Sequence, residues 1–229
     1  MLKAVLFDLD GTLYDTRRQV DSARRNAVKA MMAAGLDVDE EEALTALSDV
    51  VLKRGPNFQH HYDEMLEVLG FETDPKIIAA GIVAYHETKT AYLVPYPDTV
   101  STLLELRDLE YKLAVVTDGV PVKQWEKLIR LGLKDFFHTV IVSSSGRERK
   151  PSKKPFQRAA ASLGVREEEC MMVGDNLERD VRGGNNAGMK TVQLLTNVKS
   201  ASKPESEDML PDYIITELKE LIPLLEGEV

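Results

Sequence analysis

The chain has 229 residues, and 38 acidic residues against 29 lysines and arginines give a formal net charge of −9. This length is enough to bury one core and a smaller module, and the acidic balance argues against general binding to nucleic acids or membrane surfaces. No apolar stretch is long enough to span a membrane, and an early pair of acids interrupts any signal-peptide pattern, so we expect a cytoplasmic protein. The one cysteine, Cys170, cannot form an intramolecular disulfide and is predicted to be a buried apolar residue.

The chain begins with a predicted strand over residues 2–9, a short and β-prone apolar run that is typical of a strand buried on both faces. After it, apolar residues recur at helical spacing through four segments without an intervening strand. We expect these helices to cover Val20 to Ala34, to follow Asp39, to begin at Asn57, and to begin with Asp74 and Pro75. Four consecutive helices favour a separate helical bundle.

Short apolar runs and helical stretches alternate in the rest of the chain. The predicted strands cover residues 113–117, 140–143, 171–173, 191–195 and 213–215. Strands that alternate with helices predict right-handed crossovers and a mostly parallel sheet, which is an α/β fold. The connection from Leu9 to about Lys112 is far longer than one crossover helix requires, so the helical bundle is predicted to be an insertion. Its two connections to the sheet would allow hinge closure over the site.

Two carboxylates, Asp8 and Asp10, stand at the end of the first predicted strand and are followed at once by Gly11. Acids at the exit of a strand, where an α/β sheet presents its ligands, indicate a hard-metal site or acid–base chemistry. A calcium loop does not fit, because its first and twelfth positions would fall on Leu6 and Arg17. An ordinary Asp-Gly turn with solvated acids remains an alternative on this stretch alone.

The predicted strand over residues 113–117 ends in Thr117 and is followed by Asp118 and Gly119, just before a helix predicted to start at Pro121. A hydroxyl and free backbone N–H groups at such a turn could hold a phosphate oxygen. Thr117 as an ordinary helix-capping residue is an equally good interpretation of this segment.

The predicted strand over residues 171–173 is followed at once by Gly174 and Asp175, with Asn176 beside them and Asp180 five residues after Asp175. These acids could complete a metal site with Asp8. The alternative is that Asp175 caps the helix that follows.

Lys150 precedes Pro151 in a basic segment that also contains Lys153. A single lysine could neutralise both the acid cluster and a substrate phosphate. The alternatives are a solvated loop or a nucleic-acid patch, and the acidic chain disfavours the latter. The preference for Lys150 over Lys153 depends on the spacing to Phe156, which follows Lys150 by six residues.

The run Asp8-Leu9-Asp10-Gly11-Thr12-Leu13 resembles the first motif of the haloacid dehalogenase superfamily of hydrolases. The next three motifs of that family have matches in the same order: Thr117, then Lys150 with Phe156 six residues further on, then Gly174-Asp175 with Asp180. The resemblance covers almost all of the α/β portion. It implies a Rossmann-like three-layer core made of residues 1–14 and 93–229, and an inserted all-helical cap domain, similar to a four-helix bundle, over residues 15–92.

The resemblance also implies a Mg²⁺-dependent phosphatase that hydrolyses a small phosphorylated metabolite through an aspartyl-phosphate. Asp8 would be the nucleophile, Asp10 the general acid and base, and Lys150 a third catalytic residue that neutralises charge. The implied phosphate-binding residues are Thr117, Asp118, Gly119 and Lys150. The implied Mg²⁺ ligands are Asp8, Asp175 and the backbone carbonyl of Asp10. Asn176 and Asp180 are implied to orient the site without binding the metal directly.

Other activities remain open within and outside that family. A 2-haloacid dehalogenase would not need the second carboxylate, Asp10, which therefore favours a phosphatase, whereas a phosphomutase would use similar residues. A non-catalytic protein that binds a phosphorylated ligand or a partner is the alternative from another class. Candidate substrates are glyceraldehyde 3-phosphate, phosphoglycolate and sugar phosphates, and the oligomeric state is open.

Overall fold

The structure is a computed structural model that describes residues 1–144, 146–196 and 203–227. It divides into two compact units. One contains Met1–Asp15 together with Val94–Val229, and the other contains Thr16–Leu93. The second unit is thus a single insertion in the chain of the first.

The larger unit is built on a parallel sheet. Its strands are β1 (Ala4–Phe7), β2 (Lys112–Asp118), β3 (Thr139–Ser143), β4 (Cys170–Gly174), β5 (Lys190–Leu194) and β6 (Tyr213–Ile215). Over the described residues these six strands form one sheet in the order β3-β2-β1-β4-β5-β6, and all of their pairings are parallel. The predicted α/β class and parallel sheet are confirmed. The first strand is shorter than the predicted 2–9, because its pairing with β2 and β4 ends at Phe7.

Both faces of the sheet are buried, which explains why its strands are continuous apolar runs rather than alternating ones. In β1, Ala4 and Leu6 face one side, where they join a core cluster that includes Phe156. Val5 and Phe7 alternate with them on the opposite side and are equally buried. Cys170 is fully buried in the first of these cores, as predicted from its apolar neighbours.

The inserted unit is helical. Over residues 16–93 its helices are α1 (Thr16–Ala33), α2 (Glu40–Arg54), α3 (His61–Val68) and α4 (Pro75–Ala91). Asp39 caps α2 by accepting hydrogen bonds from the backbone N–H groups of Glu41 and Glu42. Asp74 caps α4 in the same way, and Pro75 occupies the first turn of that helix. Local capping signals in the sequence therefore correctly predict two of the four helix starts over residues 16–93.

The prediction that α3 begins at Asn57 is wrong, because that helix begins at His61. Gly55 precedes a proline and adopts an extended conformation with positive φ, which ends α2 and opens a loop. The apolar Phe58, which suggested a helix, lies in this loop and packs edge-on against the ring of His60 and against that of His61, the first residue of α3.

The remaining helices belong to the larger unit. They are α5 (Thr99–Asp108), α6 (Pro121–Arg130), α7 (Lys154–Leu163), α8 (Arg182–Ala187) and α9 (Leu221–Glu226), and a π-helical turn, Leu177–Val181, leads directly into α8. Helix α6 begins at Pro121, as predicted. Among the helices described, none combines the length and the apolar character that crossing a membrane would require.

Helix α5 offers a direct test of the packing, because it carries two neighbouring leucines in opposite environments. Leu103 is 0% exposed, whereas Leu104 is 51% exposed. We expect Leu103→Ala to lower the free energy of unfolding by about 2–5 kcal/mol, because the substitution leaves a cavity in the core. The control, Leu104→Ala, should change it by less than about 0.5 kcal/mol. Urea unfolding of both variants measures the difference, and equal losses would contradict the assigned burial.

Candidate active site

The site lies where three neighbouring strands end. Strands β1, β2 and β4 are parallel and adjacent, so their carboxyl ends lie along one edge of the sheet. Asp8 follows β1, Thr117 is next to the last residue of β2, and Asp175 follows β4. Such an edge is where open α/β sheets bind their ligands.

A buried lysine joins two of the acids. The Nζ atom of Lys150 donates to Asp8 Oδ1 and to Asp180 Oδ1, both at 2.6 Å, and to the carbonyl oxygen of Val116 at 2.9 Å. Burial would lower the pKa of Lys150, but the carboxylates of Asp180 and Asp8 outweigh it and hold this pKa above its usual value. The two carboxylates thus favour the charged form of Lys150 at the end of β1, whereas Lys153 is exposed.

The backbone of Lys150 is also held in place. Its N–H donates to Asp118 Oδ1 at 3.2 Å, and the Asp118 carboxylate lies 3.8 Å from Arg149. The Gly119 N–H donates to the carbonyl oxygen of Ser143 at 2.9 Å. Among the residues implied for phosphate binding, Asp118 thus uses its side chain, and Gly119 its N–H, for contacts within the protein.

Three carboxylates form a cluster at this edge. Asp8, Asp175 and Asp180 each offer an oxygen atom, and these atoms lie within 4.8 Å of one another. Burial raises the pKa of Asp8, and Lys150 offsets this only in part. Burial, together with the nearby Asp180, raises the pKa of Asp175 to about 6. Both shifts arise mainly because burial disfavours the charged form of a carboxyl group. Such a set of carboxylate oxygens fits a hard divalent cation such as Mg²⁺.

The turn after β4 is capped by Asn176 and not by Asp175. The side chain of Asn176 accepts a hydrogen bond from the Arg179 N–H at 2.9 Å, while its own N–H donates to Asp180 Oδ2 at 3.1 Å. Asp175 therefore does not have the capping role that the sequence left open for it. Asp175 is an exposed residue overall, and its carboxylate belongs to the acid cluster.

Two glycines make room for the cluster. Gly11 has a φ of +90°, and a Cβ atom there would lie 2.6 Å from Asp175 Oδ2. A Cβ atom on Gly174 would lie 2.4 Å from the carboxyl group of Asp180. Any larger residue at either position would displace one of the acids.

The carboxylate of Asp10 lies in a different environment from that of Asp8. Lys127 Nζ is 2.6 and 2.7 Å from its two oxygens, Gln124 Nε2 is 2.9 Å from Oδ2, and the Tyr14 hydroxyl donates to Oδ1. Burial would raise the pKa of Asp10, but Lys127 and Gln124 outweigh it and hold this pKa below its ordinary value. The sequence analysis missed these three partners. The available signal was the pair Gln124 and Lys127, one turn apart on the helix that follows Thr117.

Comparison with known proteins identifies the family. Residues 2–188 match the family described as haloacid dehalogenase-like hydrolase. The chain belongs to this family. The predicted membership of the haloacid dehalogenase superfamily and the predicted hydrolase class are thereby confirmed.

Relatives within the haloacid dehalogenase-like hydrolases are named phosphatases. The glyceraldehyde 3-phosphate phosphatase of Methanopyrus kandleri is 47% identical over 98% of this chain and 97% of its own, and that of Methanocaldococcus jannaschii is 42% identical over 99% and 98%. A solved phosphatase of the family from Thermococcus onnurineus is 30% identical, with a TM-score of 0.66 and 99% of both chains covered. These relatives confirm the prediction of a phosphoric monoester hydrolase.

The acid cluster predicts a measurable response to Mg²⁺. The thermal unfolding temperature should rise with MgCl₂ and not with NaCl of equal ionic strength, and a metal at about 100 times its Kd would add about 2.7 kcal/mol of stability. Asp175→Asn should reduce this response, yet be at least as stable as the wild type without metal, because it removes one of the repelling charges.

The control for this experiment is Asp135→Asn, which removes an exposed carboxylate in another part of the chain. It should keep the full response to Mg²⁺. An equal response of Asp175→Asn and the wild type would contradict the assignment of Asp175 to a metal site.

Proposed function

We propose that this protein is a Mg²⁺-dependent phosphatase that hydrolyses glyceraldehyde 3-phosphate through an aspartyl-phosphate on Asp8. The observation that carries the reaction type is the position of the Asp8 carboxylate, at the end of the central strand β1 and in contact with the cation Lys150. The support for this particular substrate is the name of the two archaeal relatives, which are similar along their whole length.

The first step is attack by a carboxylate oxygen of Asp8 on the phosphorus atom. The bond between phosphorus and the ester oxygen breaks, and its electron pair leaves with that oxygen. An ionised aspartate needs no activating base. Burial opposes ionisation of Asp8, whereas the ammonium group of Lys150 and a bound divalent cation would favour it. Asp8, Asp175 and the backbone carbonyl of Asp10 would hold Mg²⁺, which neutralises charge on the phosphate when it is bound.

The leaving oxygen needs a proton, because an alkoxide is a poor leaving group. The Asp10 carboxyl group would donate that proton and become a carboxylate. Because Lys127 and Gln124 hold the pKa of Asp10 low, the negative charge of the bound ester would have to raise it and keep Asp10 protonated at this step. In the second step this carboxylate would take a proton from water as the water oxygen attacks phosphorus. The bond between phosphorus and Asp8 then breaks, which restores Asp8 and releases inorganic phosphate.

The phosphate itself would be held by Thr117 and Lys150. Thr117 is buried at the end of β2, and Lys150 lies beside the attacking carboxylate. The Thr117 hydroxyl would donate a hydrogen bond to the phosphate dianion, and Lys150 would contribute positive charge beside it, because its three N–H groups already contact Asp8, Asp180 and the Val116 carbonyl. Asp180 and Asn176 would act indirectly, by holding Lys150 in place. Asp180 accepts a hydrogen bond from Lys150, and the N–H of Asn176 donates a hydrogen bond to Asp180.

The helical unit is proposed to act as a cap that selects the substrate. It is inserted between β1 and β2, and the two chain segments that lead to it begin side by side, since Tyr14 pairs with Pro95. Two adjacent connections are suited to hinge motion. A cap of this kind favours a small phosphorylated metabolite over a phosphoprotein as the substrate.

The proposal predicts that Asp8→Asn loses activity and the phosphoenzyme together. Release of phosphate from glyceraldehyde 3-phosphate should fall on the order of a thousandfold or more, because the amide is not a nucleophile. Mass spectrometry of acid-quenched wild type should show one added phosphoryl group, and Asp8→Asn should show none. Asp108→Asn, which replaces an exposed aspartate on α5, is the matched control and should keep wild-type rates.

The same assay decides between the candidate substrates and activities. Phosphoglycolate, sugar phosphates and a 2-haloacid are measured beside glyceraldehyde 3-phosphate. A higher kcat/KM for one of the other phosphates would overturn the substrate, and halide release would favour the dehalogenase alternative. Turnover that survives in Asp8→Asn would exclude the mechanism.

A further inference from the structure

The carboxylate of Asp10 is held by three side chains that have no role of their own in the two proposed chemical steps. Over the described residues its polar contacts come from Lys127 to both oxygens, from Gln124 to Oδ2 and from Tyr14 to Oδ1. A carboxylate offers about four positions for hydrogen-bond donors, and these contacts occupy all of them. The plane and direction of the Asp10 side chain are therefore set by its neighbours.

Gln124 connects Asp10 to the phosphate side of the site. It is buried on α6, and its Nε2 atom is 2.7 Å from Thr117 Oγ1 and 3.1 Å from the carbonyl oxygen of Asp118. One amide group thus touches both the residue proposed to transfer a proton and the residue proposed to hold phosphate. Lys127 lies one turn further along α6, with its side chain 23% exposed.

We propose that Gln124 and Lys127 are positioning residues that hold the Asp10 carboxyl group where it can pass its proton to the ester oxygen. This inference rests on the proposed phosphatase function. The proton moves from Asp10 to the leaving oxygen, and its electron pair stays on Asp10. When Asp10 carries the proton, one of its four contacts must yield, and the Tyr14 hydroxyl can do so because it can rotate.

Lys127 is the better residue to vary, because it is partly exposed and methionine preserves most of its length. The test is a series of aryl phosphates whose leaving groups range from good to poor: 2,4-dinitrophenyl, p-nitrophenyl and phenyl phosphate. They share the phosphate and an aromatic ring, and they differ mainly in how much they need a proton on the leaving oxygen. The quantity measured is kcat/KM, which covers all steps up to departure of the leaving group.

In Lys127→Met, kcat/KM for phenyl phosphate should fall about tenfold or more, as a share of the ~10²- to 10⁴-fold that proton transfer contributes. The value for 2,4-dinitrophenyl phosphate should change by less than about threefold, because that leaving group departs without a proton. Lys127→Arg keeps a donor at this position and should recover most of the loss. Lys123→Met is the matched control on the same helix, with a side chain that is 70% exposed and paired with Glu126, and it should match the wild type.

A double-mutant cycle tests whether Lys127 acts through Asp10. In an Asp10→Asn background, adding Lys127→Met should cause no further loss on phenyl phosphate, because the group to be positioned is already gone. Multiplied losses would show that Lys127 acts independently of Asp10 and would overturn the proposal.

Two further outcomes would also overturn it. The same fold loss on all three aryl phosphates would place Lys127 in substrate binding or in phosphoryl transfer itself. Behaviour of Lys127→Met identical to Lys123→Met, with unchanged thermal unfolding in both, would leave Lys127 without a role. A wild type that hydrolyses none of these esters, nor glyceraldehyde 3-phosphate, would instead refute the proposed function on which this inference rests.

Discussion

A buried ammonium group between two carboxylates is the interaction on which the geometry of the site depends. Lys150 contacts Asp8 and Asp180, and all three side chains are almost completely removed from water. Burying a charge is costly unless it is paired and hydrogen-bonded, so this arrangement is stable only when all three groups are in place. The partners come from the end of β1, the loop before α7 and the turn before α8. The ion triad therefore fixes three distant segments of the chain relative to one another.

Asp8 and Asp10 are two residues apart, and yet their pKa values are shifted in opposite directions. Burial among other acids raises the pKa of Asp8, whereas Lys127 and Gln124 hold that of Asp10 below its usual range. Opposite pKa shifts show that these two carboxyl groups lie in different surroundings although they are close in sequence. Asp8 belongs to the acid cluster that suits a divalent cation, while Asp10 is directed toward α6.

Much of the fold could be predicted because its signals are local. The strands are short apolar runs, and the helix starts at Asp39 and Asp74 carry their own capping residues. The start of α3 could not be found in this way, since Phe58 packs against two histidines in a loop instead of on a helix. Periodicity alone does not distinguish these two uses of an aromatic residue.

The site could be predicted only as far as the chain itself brings its residues together. Residues at the ends of adjacent parallel strands must be neighbours, so the meeting of Asp8 and Asp175 follows from the sheet. The partners of Asp10 depend instead on how α6 is rotated against β1. The role of Asp118 in holding the backbone of Lys150 likewise depends on a contact across 32 residues of sequence. The spacing of Gln124 and Lys127 is a local pattern, but nothing in the sequence connects that pair to Asp10.

The π-helical turn before α8 makes the position of the Asp180 side chain depend on the number of residues between Asp175 and Asp180. The N–H of Val181 reaches back to the Asn176 carbonyl and that of Arg182 to the Leu177 carbonyl, each five residues earlier. The wider turn directs Asp180 inward onto Lys150 while α8 continues against the core. One residue fewer between Asp175 and Asp180 would rotate the helix by about 100° and carry Asp180 away from the lysine. The length of this turn is therefore as strict a requirement as the identity of either acid.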